Sequence, residues 1–542
     1  SIQKNSFFGK FQSSFEEVIT HIATWFSKIL AWSFSHKIIV LGSVVILFFG
    51  SVSLLVLGFI GSDFAPQGDQ GQFAIKLELP RGVTIEQTNQ ITLKAESIVR
   101  SNNVVENVFT TVGAEENGQP QPRLSELRIK LIPHKDRKIS SIDLARKLKL
   151  ELQRTLPDVI ISLGMTDIMG NIDAAPIEYY ITGQSIDSVQ TAANLLLDRM
   201  KSIEGIIHPQ ISSKEGNLQI SIIPDRDKMA DLGISFDNLG RTLNLAFSGN
   251  TDSKLLRNDK EYDINIRLDR ADREDIRNVE NLSLLNDFGQ LVLLKQFAKI
   301  EETEGPTLLE RRNRTPCIRI TSQTGGRPIG DVGTDINKAV ESLGLSDQVN
   351  IIPGGELEIQ GDSFSSLGIA LIVSIFLVYF ILVLLYNSFV YPLVVLGSLP
   401  LAMIGALWAL AFTMETLNIF TILGIIVLIG LVAKNAILLV DFTNHLKAKG
   451  TPLKEALLES TEQRFRPIIM TTLAMAVGML PVALASGAAA EWKNGLAWVI
   501  IGGLISSMFL TLVVVPLVYY LIDRSLTKFS SDKNQKEIFI EE

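Results

Sequence analysis

The sequence predicts an α-helical membrane domain of six transmembrane helices, one followed much later by five, with a large α+β region between them. Three observations predict this fold class. Six stretches are apolar and long enough to cross a bilayer: Ile38–Ile60, Leu367–Tyr386, Tyr391–Phe412, Ile419–Val440, Pro467–Leu484 and Leu496–Ile522. About 300 residues of mixed character separate the first from the second. Within them, strand-like and helix-like stretches follow the order βαββαβ, the ferredoxin-like unit, twice.

The chain opens with Phe7, Phe8, Phe11, Phe15, Val18, Ile19, Ile22, Trp25, Phe26, Ile29 and Leu30 at helical spacing. Over residues 1–37 this reads as an amphipathic helix in the membrane interface, leading into the span at 38–60. An amphipathic helix packed on protein is the alternative. The first βαββαβ unit fills residues 61–172. Its strands are Phe73–Leu79, Val105–Val112, Leu127–Ile132 and Val159–Met165, and its helices cover Thr84–Arg100 and Ser140–Leu156. Phe73 to Leu79 alternates apolar and polar, as a sheet with one covered face requires. The second unit takes residues 173–247 and 315–365. Its first half is read as the strand Ile177–Ile181, a helix at Ser185–Ile203 and the strand Leu218–Ile223, then a helix at Arg226–Phe247. The charge-rich stretch 248–314 interrupts it and reads as an insertion. The rhythm resumes with Cys317–Ser322, a helix at Ile329–Leu343 and the strand Val349–Ile352. Residues 366–522 hold the five later spans, and 523–542 form a tail.

Basic residues set the orientation. Lys37, Lys447, Lys449, Arg464, Arg466, Arg524 and Lys528 all fall on one side if the spans alternate. The positive-inside rule makes that side cytoplasmic and the 61–365 region external, periplasmic in a two-membrane cell. The net charge of −8 and the lack of a basic block argue against nucleic acid. Cys317 is the only cysteine, so no intrachain disulfide forms. The five histidines stand in no zinc-ligand spacing, and no phosphate-binding loop occurs. No enzyme constellation and no cofactor site is expected.

Lys434 stands out. It interrupts the apolar run of the fourth span, at a cost of roughly 2.5–3.5 kcal/mol on insertion scales. The default reading of such a residue is an ion or proton site with a carboxylate partner, and snorkelling to the interface is the alternative. No span offers a carboxylate at matching depth. Asp441 lies seven residues on, roughly 11 Å along the helix, too far for direct pairing. Asn435 adjoins Lys434, and Arg464 and Thr471 flank Pro467 in the fifth span. Together they form a possible hydrogen-bonded relay. Back-bonding to its own helix is the alternative for Thr471. The recurring small residues Gly424, Gly430, Ala474, Gly478, Gly502, Gly503, Ser506 and Ser507 read as close helix packing.

GLVAKNAILLVDF and the segment from RFRPIIMTT through LVVVPLVYY closely resemble the last spans of the resistance-nodulation-division (RND) efflux transporters, in the branch exporting hydrophobic and amphiphilic compounds. YNSFVYPLVVLGSLPLAMIGA fits too. The resemblance covers nearly the whole chain but only the C-terminal half of such a transporter. It implies two porter subdomains, with 248–314 as an inserted docking subdomain. It implies a proton relay of Lys434, Asn435, Arg464 and Thr471, acting on a pair of transmembrane aspartates supplied by an N-terminal half. It also implies an inner-membrane location among membrane lipids, a homotrimer, a periplasmic adaptor and an outer-membrane channel. Phe109 is the candidate for the substrate pocket. The loop Ala114–Gln119 lacks the phenylalanines usual in multidrug members. Met165 and Met169 are the nearest approach to the methionine cluster of metal exporters, with core packing the stronger reading. The competing readings are a protein-export motor of the SecD/SecF type and an inactive half-transporter remnant.

Overall fold

The computed structural model describes residues 25–26, 28–65, 69–80, 83–116, 119–165, 175–212, 217–305, 309–344, 349–485, 487 and 491–538. Among them, six helices are long and apolar enough to cross a membrane: Lys37–Val56, Gly355–Tyr386, Tyr391–Thr413, Ile419–Ala448, Leu453–Ala483 and Asn494–Ser525. They are numbered here as spans one to six. Most overrun the predicted apolar windows because polar turns extend them. Span two begins at Gly355, twelve residues before Leu367. Span five runs through Pro467 instead of starting there. The helix of span six continues to Ile538, through the region expected to be a tail.

The approach to span one differs from a helix resting only in the interface. Residues 28–35 are helical. Phe26, Leu30 and Phe34 are buried in a core to which spans two to six contribute. Phe26 meets Phe465 at 5.3 Å and Phe34 meets Tyr520 at 5.6 Å between ring centroids. Trp25 and Trp32 remain exposed on the other side. Burying three aromatic or aliphatic side chains on protein is worth several kcal/mol, so this face docks. Residues 1–24 and 27 lie outside the described part.

Small residues bring spans three, four and six together. A Cβ on Gly405 would collide with the Gly502 carbonyl, and one on Gly502 with the Gly405 carbonyl. Ser506 donates to the Leu401 carbonyl at 2.9 Å. Gly503 accommodates Leu428, and Gly424 lies against Leu496. The packing role expected of these residues holds. It does not hold within this chain for Gly430 and Gly478, which face open space.

Outside the spans lie a four-stranded antiparallel sheet and a five-stranded sheet. The first has β1 (Gln72–Glu78), β2 (Val105–Val112), β3 (Leu124–Leu131) and β4 (Ile160–Met165), with α1 (Ile85–Arg100) and α2 (Ser141–Thr155). Its strand order is β2-β3-β1-β4. The helices start where the sequence supplies caps: Thr84 with Gln87 as a capping box, and Ser140 accepting from the Asp143 N–H. Phe73, Ile75 and Leu77 of the central strand are fully buried. The second sheet has β5 (Ile177–Gly183), β6 (Ile206–Ile211), β7 (Thr315–Thr324) and β8 (Val349–Gly354), with α3 (Ile186–Met200) and α4 (Ile329–Ser342), and the short strand Glu310–Arg312 pairs with β7 as its fifth member. Strands β5, β7 and β8 pair in the order β7-β5-β8, and β6 pairs with β7. The connectivity therefore repeats that of the first sheet.

The second strand of this sheet is Ile206–Ile211, where the sequence reading placed Leu218–Ile223. Ile-Ile-His-Pro-Gln-Ile hides a strand because Pro209 reads as a breaker. It is tolerated because β6 pairs on one side only. The segment assigned to that role, Asn217–Pro224, instead pairs with Ala298–Gly305.

That pair belongs to a separate compact unit, Ser212–Pro316, which begins well before residue 248. Its core gathers Met229, Ile234, Leu239, Val279, Leu284, Val292, Leu294 and Phe297. The helix expected over Arg226–Phe247 breaks at Gly233 (φ 64°) into Arg226–Asp231 and Phe236–Phe247. A hairpin of Asn250–Arg257 and Lys260–Ile266 turns on Asn258 and Asp259, both at positive φ. Every residue of its two strands is exposed.

Candidate functional site

Span four begins at a strong N-cap. Asn418 accepts from the Phe420 and Thr421 N–H groups, and Thr421 accepts in return from the Asn418 N–H at 2.7 Å. From there 30 residues run without a break. Ile425, Leu428, Ile429, Val432, Ala433, Ala436, Leu439 and Val440 are buried against neighbouring spans. Leu423, Val427, Gly430, Lys434 and Asp441 are exposed. Their spacing of three, four or seven makes them one stripe. Lys434 thus sits mid-helix on the outward stripe, and among the described residues it has no hydrogen bond or ion pair.

Asn435, one residue on, faces the opposite way. It is 3% exposed, and its Nδ2 finds no acceptor. Span five contributes Arg464, half-buried, with its guanidinium 4.9 Å from the centre of the Phe442 ring and its Nε unbonded. Thr471 is exposed, and its hydroxyl donates to the Pro467 and Ile468 carbonyls at 3.0 and 3.1 Å. The back-bonding alternative therefore describes Thr471. Thr472 is fully buried and its hydroxyl is unbonded. No hydrogen bond joins any two of Lys434, Asn435, Arg464 and Thr471 among the described residues. The exposed pair, Lys434 and Thr471, instead share outward faces with Gly430, Ala474 and Gly478.

Polar contacts that the sequence reading missed lie towards the end of span four. Lys447 pairs with Asp523 at 2.5 Å, and the Tyr391 hydroxyl donates to the same carboxylate at 3.4 Å. The Tyr519 hydroxyl donates to Asn444 at 2.6 Å, and the Tyr391 and Tyr519 rings stack at 5.3 Å. Asp523 is 5% exposed while Lys447 is half-buried, so a buried carboxylate gathers partners from spans three, four and six. The signal was available in the spacing of Tyr519 and Asp523, one helical turn apart.

Phe109 lies on β2 and is 68% exposed. A cavity of about 340 Å³ lies elsewhere, between the edge strands of the two sheets, lined by Gln153, Val159, Ile160, Ile161, His208, Pro209 and Gln210. Burial pushes the His208 imidazole below its usual value, and the Lys149 charge adds to that shift. No group of three or more His, Cys, Asp or Glu side chains able to hold a metal occurs among the described residues. Met165 ends β4, and Met169 lies outside the described part.

The chain is 28% identical over 524 residues to the swarming motility protein SwrC of Bacillus subtilis (strain 168), covering 94% of this chain and 48% of the relative. It is 27% identical over 528 residues to the multidrug resistance protein MdtC of Escherichia coli O17:K52:H18 (strain UMN026 / ExPEC), covering 96% and 50%. A crystal structure of a heavy metal efflux pump superposes with a TM-score of 0.79 at 25% identity, covering 94% of this chain and 52% of the pump. The chain therefore spans about half the length of the relatives it matches. The family model for AcrB/AcrD/AcrF transporters matches residues 1–523, and the chain belongs to that family of RND efflux transporters.

Proposed function

We propose that this chain is the C-terminal half of a proton-driven efflux transporter of the inner membrane, exchanging protons for an amphiphilic or hydrophobic substrate. One observation carries the reading. Lys434 stands on an exposed stripe in the middle of a span, without a counter-charge among the described residues. Leaving it to face lipid costs roughly 2.5–3.5 kcal/mol, and a carboxylate on an apposed helix removes that cost. The stripe is shaped for a close neighbour, since Gly430 and Gly478 leave open space beside it. The N-terminal half would supply that helix with a pair of aspartates.

In this mechanism Lys434 holds the pair ionised. Protonation of the carboxylates releases Lys434, and spans four and five move against the apposed half. The buried Asn435 amide and Thr472 hydroxyl, unbonded in this arrangement, offer partners for a second one. Arg464 and Thr471 complete the relay. The motion reaches the cleft between the two sheets, whose apolar walls and flanking amides suit an amphiphile. Phe109 would serve as a further apolar contact once neighbouring chains cover it. The two sheets act as porter subdomains and the Ser212–Pro316 unit as the docking subdomain. Its hairpin, exposed on both faces, is a surface for a second copy, the periplasmic adaptor or the outer-membrane channel, with a homotrimer as the assembly. The family membership favours this reading over a protein-export motor.

The likeness to a heavy metal efflux pump favours a second cargo, a soft metal cation held by thioethers such as Met165 and Met169. Susceptibility of a deletion strain separates the two. The leading reading expects sensitivity to dyes and detergents; sensitivity to silver or copper alone would select the metal. Lys434→Ala in the assembled transporter is expected to abolish export with membrane insertion unchanged.

A further inference from the structure

The segment after span one makes a knot that the relay does not use. Residues Gly61–Phe64 run alongside the loop that leads into span four. Leu417 N–H donates to the Gly61 carbonyl at 2.7 Å, Asp63 N–H to the Leu417 carbonyl at 3.1 Å, and Ile419 N–H to the Phe64 carbonyl at 3.3 Å. On its other side the same segment meets the first turn of α4. Gly330 N–H donates to the Ser62 carbonyl at 2.8 Å, and Asp331 accepts from the Ser62 N–H. Gln360, buried near the start of span two, donates to the Ser62 hydroxyl at 2.8 Å.

Asp63 joins the two sides. Its carboxylate accepts from the Ile329 N–H at 2.6 Å, at the first residue of α4. It also accepts from the Thr416 hydroxyl. Thr416 in turn takes hydrogen bonds from Asn418, the cap of span four. A continuous path therefore runs from α4 through Asp63, Thr416 and Asn418 into the Lys434 helix. The crossing is tight: a Cβ on Gly61 would collide with the Pro328 ring, and one on Gly330 would lie 2.7 Å from the Ser62 carbonyl oxygen. Both glycines are needed for so close an approach. Lys434 is sixteen residues from Asn418, roughly 24 Å along one rigid helix.

We infer that Asp63 is a positioning residue for transport, tying the N-terminus of α4 to the cap of span four so that movement of the Lys434 helix is carried to the second outer sheet. The inference rests on the efflux reading for its consequence, but not for its geometry. A capping carboxylate acting only locally would bond α4 alone. Here the same carboxylate is shared with the loop of another element, the Asp63 N–H itself donates to the Leu417 carbonyl, and a backbone bond from Gly330 to Ser62 closes the other side.

Hydrogen exchange on the full chain in nanodiscs tests the link without requiring transport. Asp63→Ala is expected to speed exchange by roughly tenfold to a hundredfold in both 328–333 and 416–422, the change that losing one charge-assisted hydrogen bond gives. The β1 strand should be unchanged, and Asp63→Asn should restore most of the protection. Acceleration confined to 328–333, or in neither segment, overturns the proposal. If β1 also accelerates, the substitution has unfolded the region, and Thr416→Val decides instead. That variant should loosen both segments, and loosening of 416–422 alone contradicts the link. In the transporter assembled with its other half, Asp63→Ala should lower export velocity at least tenfold with substrate KM unchanged. An unchanged velocity overturns the role in coupling. Failure of the unaltered chain to export sinks the efflux reading and leaves the exchange result standing.

Discussion

A single residue decides how this chain is read. Lys434 is costly where it stands, and the chain provides no acid for it among the described residues. Asp69 shows what a satisfied buried charge looks like. Arg137 donates to both of its oxygens at 2.6 and 2.7 Å, and the Gly71 N–H adds a third bond. Burial alone would raise the Asp69 carboxyl. The Arg137 guanidinium, the Ser141 hydroxyl and the Gly71 N–H outweigh it and hold the group well below the usual carboxylate range. A depressed folded-state pKa contributes stability that is present above the unfolded value, about 3.9, and lost as pH falls towards the folded value. Exchange in β1 and β3 should therefore be flat from neutral pH to about pH 4 and rise only below it. Asp69→Asn should remove that acid step. It should also destabilise the sheet by about 3–5 kcal/mol, since it leaves Arg137 buried without its charge partner. A β1 that loosens between pH 7 and 5 would contradict the assignment.

At the scale of elements, glycines separate packing within the chain from packing against another. Gly502→Leu drives a side chain into span three and should cost about 1–3 kcal/mol or more, seen as a lower melting temperature of the solubilised chain. Gly430→Leu enters open space, so the chain should melt normally but fail to co-purify with its N-terminal half. Normal co-purification of that variant would show that the stripe is not an interface. The sequence reading had grouped these glycines together, because spacing reports a face and not what the face meets. The same limit explains Thr471, for which spacing left the relay and a back-bond to its own helix both open. The spans, the first βαββαβ connectivity and Lys434 were legible because hydrophobic period and charge are local signals. β6 was missed because Pro209 mimics a turn. Asp63 was missed because its partners, Ile329 and Thr416, lie far away in sequence.

At the scale of the whole molecule, the chain is a body with unmet surfaces. The outward stripe of span four, the exposed faces of spans one and two, and the Asn250–Ile266 hairpin all lack cover within it. An isolated hairpin is at best marginally stable, which fits a segment ordered by another chain. Deleting residues 250–266 should leave membrane insertion intact and weaken assembly, measured by native mass of the solubilised complex. An unchanged mass would remove the hairpin from the interface. The central claim is that Lys434 holds a proton-binding carboxylate pair on an apposed helix. The most direct measurement is proton flux in vesicles carrying both halves under an imposed pH gradient, with and without substrate. Substrate-dependent proton movement should be present with the native chain and absent with Lys434→Ala at equal protein level. Undiminished coupling in Lys434→Ala would contradict the account.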